Sequence, residues 1–167
     1  MRKALMMLAL AGLLGSCTSG AEPRVPGAPE AGIPQTAVPP VLGSLAASET
    51  DVTKEFAQTK QRAYVTAVRL WSLREGDRLR GTIQVSRFAP DAEPGDAAFQ
   101  RSVVTQVGKS ATPQVRRVAG QRVYVTTGDR QTIFMWFRGI HFILMSVSVD
   151  HPYPRSLLRE TLKEVLV

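Results

Sequence analysis

The chain has 167 residues, 44% of them hydrophobic, with a formal charge of +7 and a single cysteine. One cysteine excludes a disulfide scaffold and a thiolate metal cluster, so a folded part must stand on its hydrophobic core. The length suits one domain of ordinary size plus a leader.

In chain order, Arg2 and Lys3 precede an apolar run over residues 4–14, and Gly15, Ser16 and Cys17 follow at once. A basic start, a short apolar stretch and small residues make a secretory signal, here residues 1–16, too short to span a bilayer. Thr18, Ser19, Gly20 and Glu22 break the apolar stretch and argue against a transmembrane anchor. The string Leu14-Gly15-Ser16-Cys17 resembles the lipobox of bacterial lipoproteins. The resemblance implies cleavage between Ser16 and Cys17 and diacylglycerol on the Cys17 thiol. It places the protein on the extracytoplasmic face of the cell membrane, held there by its N-terminal lipid. With Cys17 lipidated, the exported part has no thiol left to act as a nucleophile.

Residues 17–47 then read as the lipidated cysteine and a disordered tether. Pro23, Pro26, Pro29, Pro34, Pro39 and Pro40 fall here among glycine, alanine and serine, without an aromatic residue. Such a composition buries too little apolar surface to offset its ordering entropy. Residues 48–167 read as a single domain and hold every tryptophan, tyrosine and phenylalanine of the chain.

Within that domain, Val52 and Phe56 at i,i+4 suggest a short helix or an ordered entry segment over 49–60. Residues 64–73 and 79–88 are strand candidates around the turn signal Glu75-Gly76-Asp77. A loop over 89–95 leads to Asp96, a helix N-cap. Phe99, Val103 and Val107 follow at i,i+4 spacing until Gly108 ends the run. Residues 115–149 form a second sheet block. In it Val123, Val125 and Thr127 alternate up to the hairpin signal Gly128-Asp129, and 132–137 and 140–149 flank a turn at Arg138-Gly139. The last two segments are apolar on both faces, which predicts central strands. Pro152 and Pro154 stop the sheet, and Leu157, Leu158, Leu162, Val165 and Leu166 predict a closing helix over 156–166. The expected fold class is α+β: an antiparallel sheet of five to six strands with helices packed on it.

The run Tyr64-Val65-Thr66-Ala67-Val68-Arg69-Leu70-Trp71, then Gln84-Val85-Ser86-Arg87-Phe88, Val123-Tyr124 and Trp136-Phe137-Arg138-Gly139, is similar to actinobacterial lipoproteins of uncharacterised function. Those in turn resemble PsbP-like and LpqN-like α/β sandwiches. The resemblance implies a sandwich in which an apolar ligand enters between sheet and helix. Trp71, Trp136 and Phe142 are the candidate pocket residues.

Catalytic and metal signatures are weak. His141 sits mid-strand among Ile140, Phe142 and Ile143, which fits a structural histidine, and His151 stands beside Asp150 at a strand exit. Neither has a second ligand at metal-binding spacing, there is no GxSxG elbow and no glycine-rich phosphate loop. No metal, cofactor or catalytic residue is expected. Arginine clusters in two places: Arg69, Arg74, Arg78, Arg80 and Arg87 in the first hairpin, and Arg116, Arg117, Arg122 and Arg130 later. These read either as solvated strand faces or as a patch toward an anionic envelope surface or envelope protein. Export argues against nucleic acid as the partner. The sequence therefore predicts a non-enzymatic binding or accessory module at the envelope, with a carrier of a small apolar ligand or lipid as the alternative.

Overall fold

The computed structural model describes residues 32–51, 64–108 and 112–165. Its body is one antiparallel sheet of eight strands: β1 (Val41–Leu42), β2 (Leu45–Asp51), β3 (Val65–Glu75), β4 (Arg78–Phe88), β5 (Gln114–Val118), β6 (Gln121–Thr127), β7 (Gln131–Arg138) and β8 (His141–Ser148). Among the described residues there are two α-helices of 11 residues each, α1 (Ala97–Val107) and α2 (Pro154–Glu164). The expectation of five to six strands with helices packed on them is corrected. Among the described residues the molecule is mainly an eight-stranded sheet with two short α-helices.

The strand order is β1-β2-β3-β4-β8-β7-β6-β5. Each half is a meander. Two-residue turns join β1 to β2, β3 to β4, β5 to β6 and β7 to β8, and a three-residue turn joins β6 to β7; connections this short leave consecutive strands no option but to pair antiparallel. Gly43, Gly76, Gly120 and Gly139 supply the positive φ that four of these turns require. Between the halves, α1 carries the chain from the end of β4 to the far edge at β5, so that β8 returns to pair with β4. That seam runs from Gly81↔Val147 to Arg87↔His141. Gly81 is required there: a Cβ on it would stand 2.3 Å from the backbone oxygen of Ser146.

The boundary of the expected tether is also corrected. Residues 33–47 belong to the folded body. Ile33, Ala37, Val38, Leu42 and Leu45 are buried in the core beside α2. Pro34 precedes a 3-10 turn at Gln35–Ala37, and the backbone oxygen of Pro40 accepts the N–H of Ala47. The prolines thus shape corners, and the apolar residues among them gain their partners only once α2 and the sheet are in place. The segment 49–60, expected as a short helix or an ordered entry, is described only at its start. Glu49 and Asp51 lie in β2, opposite Trp71 and Arg69, and 52–60 fall outside the described residues.

Period-two alternation gives the sheet two buried faces. One carries Trp71, Ile83, Val85, Phe134, Trp136, Ile143 and Met145 under Leu157, Leu158 and Leu162 of α2. The other carries Tyr124, Met135, Phe137 and Phe142, with Phe88, under Val103, Val104 and Val107 of α1. β7 and β8 face a core on both sides, which is why their sequences are apolar throughout.

Both helix ends are chemically closed. The Asp96 carboxylate accepts the N–H groups of Ala98 and Phe99, each at 2.8 Å, which holds its pKa below the usual carboxylate range. Pro154, expected to break the sheet, opens α2 at its first position, where a missing N–H costs no hydrogen bond. At the other end of α2, Arg138 donates to the carbonyls of Val165 (2.5 Å) and Leu162 (3.3 Å). A cation placed there satisfies carbonyls that the helix leaves open.

Candidate functional site

The residues predicted to line an apolar pocket do not come together. Trp71 and Trp136 lie on the face covered by α2, and Phe142 lies on the opposite face under α1. All three are packed, with exposures of 2%, 2% and 1%. The register explains the split. Trp136 pairs with Ile143, so the neighbouring Phe142 must point the other way and pairs with Phe137. Phe142 belongs to an aromatic cluster in which Phe88 meets Phe99 edge-on at 5.1 Å and Phe137 lies 5.0 Å from Phe142. These residues are core. Ser16 and Cys17 fall outside the described residues.

His141 is half-buried at the start of β8. Burial, with the Arg87 charge adding to it, lowers its pKa and favours the neutral ring. The Nδ1 of His151 accepts the N–H of Tyr153 and so shapes the approach to α2. Among the described residues no three His, Cys, Asp or Glu side chains group to hold a metal ion, and no helix is long and apolar enough to cross a membrane.

The arginines separate into two sets. Those of the first hairpin have matched partners. Arg69 pairs with Glu49, and Arg78 pairs with Asp150. Arg80 binds Glu75 through two nitrogens at 2.5 and 2.9 Å and reaches Asp150 at 3.4 Å. Arg74 donates to the Asp77 carbonyl, and Arg87 donates to Thr66. The hydrogen bond from Arg80 holds the Glu75 pKa low; for Asp150 the first cause is the hydroxyl of Ser148, with Arg78 and Arg80 adding to it.

The second set is different. Arg117 on β5 and Arg122 on β6 are direct cross-strand partners, so their side chains rise from the same face. Neither makes an ion pair among the described residues. They are brought opposite by a two-residue turn in which Ala119 (φ 48°) and Gly120 (φ 80°) both adopt positive φ. Such a turn matches the twist of a hairpin but strains the alanine.

This pair flanks a cleft of about 320 Å³ lined by Gly95, Gln100, Arg117, Gly120, Gln121, Arg122, Tyr124 and Phe137. The β6–β7 ladder explains its location. Pairing runs from Thr127↔Thr132 to Tyr124↔Met135, and beyond Tyr124 the strands are joined by the Gln121 side chain, whose amide donates to the Phe137 carbonyl at 3.0 Å. Across the cleft, the Gln100 amide donates to the Pro94 carbonyl at 2.9 Å. Asp96, next to the lining residue Gly95, turns its carboxylate to its own helix N-terminus, and no acid pairs with either arginine among the described residues.

The sequence places Arg117 and Arg122 in one basic cluster but not in one pair. The signal that pairs them is Val118-Ala119-Gly120-Gln121: read as a two-residue turn, it sets 117 opposite 122. Gly95, Gln100 and Gln121 carry no signal, because α1 is what brings Gln100 to the sheet. No protein-family model, no curated protein and no solved structure matches the chain.

Proposed function

We propose that the chain is a lipid-anchored, extracytoplasmic, non-enzymatic binding module whose arginine cleft engages an anionic component of the cell envelope. The anchor rests on the basic start, the short apolar run and Leu14-Gly15-Ser16-Cys17. The observation that carries the binding role is Arg117 facing Arg122 without a carboxylate, on a molecule in which Arg69, Arg78 and Arg80 of the first hairpin are each paired with one. Like charges directly opposite on a sheet repel. A bound anion converts that cost into two charge-assisted contacts. The alternative, a carrier of a small apolar ligand, loses its lining, since Trp71, Trp136 and Phe142 fill the core on two faces.

The test is binding of inorganic polyphosphate by the full chain in non-ionic detergent at low salt. The double variant Arg117→Gln/Arg122→Gln should bind at least tenfold more weakly. Arg155→Gln/Arg159→Gln, which removes the same charge from exposed positions of α2, should change binding less than twofold. Equal losses would reduce the interaction to net charge and refute the cleft. For the anchor, the intact mass of the membrane-extracted protein should show diacylglycerol on Cys17, and an unmodified thiol refutes it.

A further inference from the structure

We infer that the cleft takes a phosphate monoester of a sugar or other polyol, with the phosphate between Arg117 and Arg122 and the hydroxyls toward Gln100 and Gln121. The inference rests on the anion-binding reading above and assigns its ligand class.

Charge sets the first half. Two guanidinium groups on one face, unmatched by any described acid, supply two positive charges across a single gap. A phosphate monoester carries about −1.5 to −2 at neutral pH and three acceptor oxygens, whereas a carboxylate carries −1. The monoester therefore balances the pair, and its oxygens can be shared between two planar forks.

The two glutamines set the second half. Each spends its amide nitrogen on a backbone carbonyl, Gln100 on Pro94 and Gln121 on Phe137. Those bonds hold both amides by their nitrogens, and each Oε1 is left without a hydrogen-bond partner among the described residues. An acceptor calls for a donor, and a bare anion has none. A ligand that answers both the arginines and the glutamines presents an anion and O–H groups on one small frame. The cleft volume of about 320 Å³ lies at the lower end for small-molecule sites, which fits one sugar-sized unit. Tyr124 and Phe137, both largely buried, give it an apolar floor.

The experiment is calorimetric titration of the full chain in non-ionic detergent with glucose 6-phosphate, inorganic phosphate, glucuronate and glucose. Glucose 6-phosphate should bind at least tenfold tighter than each of the other three. Its affinity should fall as salt rises. It should also drop at least tenfold in Arg117→Gln and in Arg122→Gln, with melting no lower than wild type, because both side chains are exposed and their mutual repulsion is relieved. Equal, arginine-dependent binding of glucose 6-phosphate and inorganic phosphate would overturn the polyol inference and leave the anion reading standing. Glucuronate binding as tightly would overturn the choice of phosphate. Binding that survives both substitutions would place the ligand elsewhere and overturn the site, and no binding of any of the anions would overturn both readings. Where glucose 6-phosphate binds as expected, a glycerophosphate-headgroup lipid in mixed micelles separates the sources. Competition by the lipid assigns a diester headgroup and overturns the monoester, and its absence supports a free or terminal phosphorylated sugar.

Discussion

Gly81→Ala tests the seam that joins the two meanders. The added Cβ would lie 2.3 Å from the Ser146 backbone oxygen, and 3.4 Å from both the Ser146 carbonyl carbon and the Val147 Cα. Ordinary contacts begin near the second value, so β4 and β8 must part by about 1 Å at this point. The obstacle is backbone in a central strand, which no rotamer change removes. Overpacking of this kind costs about 1–3 kcal/mol, and exchanging glycine for alanine returns about 0.5–1 kcal/mol through the unfolded chain. Because the clash is with main chain, the upper part of that range applies, and the net loss should be about 2 kcal/mol. Gly81↔Val147 is the last pair of its ladder, so the seam should peel from that end while the molecule still folds. The assay is urea unfolding followed by tryptophan fluorescence, since Trp71 and Trp136 are buried on the same face. The midpoint should fall with an unchanged slope, and melting should drop by roughly 6–10 °C. Gly128→Ala is the control. Its Cβ would meet only the Gln131 oxygen at 3.9 Å, without a positive φ, and its stability should match wild type. A Gly81→Ala protein as stable as Gly128→Ala would refute the close approach of β4 and β8.

Three further substitutions address other parts of the argument. Leu45→Ala, at a site 1% exposed, should cost about 2–5 kcal/mol by chemical unfolding, whereas a disordered tether would register no change. Ala119→Gly should stabilise by about 0.5–1 kcal/mol, because it removes a left-handed alanine and returns part of the gain as chain entropy; a loss of stability would show that the turn needs its Cβ. His141 is held neutral in the fold, chiefly by burial, and its unfolded pKa is about 6.5. Its contribution is therefore complete above that pH and declines as pH falls toward the folded value, because the unfolded chain takes up the proton first. The urea midpoint should drop between pH 7.5 and 5.5 in wild type and drop less in His141→Gln. A wild-type midpoint that rises on acidification would reverse the assigned direction.

Local events are legible in short segments of the chain. Glu75-Gly76-Asp77 turned the first hairpin, and β3 and β4 run almost as the alternation predicts, because side-chain period and turn chemistry are properties of short segments. Asp96, Phe99, Val103, Val107 and Gly108 defined α1 for the same reason. The unbroken apolar runs of β7 and β8 announced central strands. Features that depend on a distant partner emerge only on folding. Ile33, Val38, Leu42 and Leu45 look like scattered residues in a proline-rich linker until α2, more than 100 positions later, closes over them. Trp136 and Phe142 look like neighbours in one aromatic patch until the register places them on opposite faces. Arg117 and Arg122 come to flank one cleft only when a strained turn sets them opposite each other and α1 brings Gln100 across the sheet. Composition and period report how much apolar surface a segment holds, but which surface meets which is settled by pairing across the whole chain.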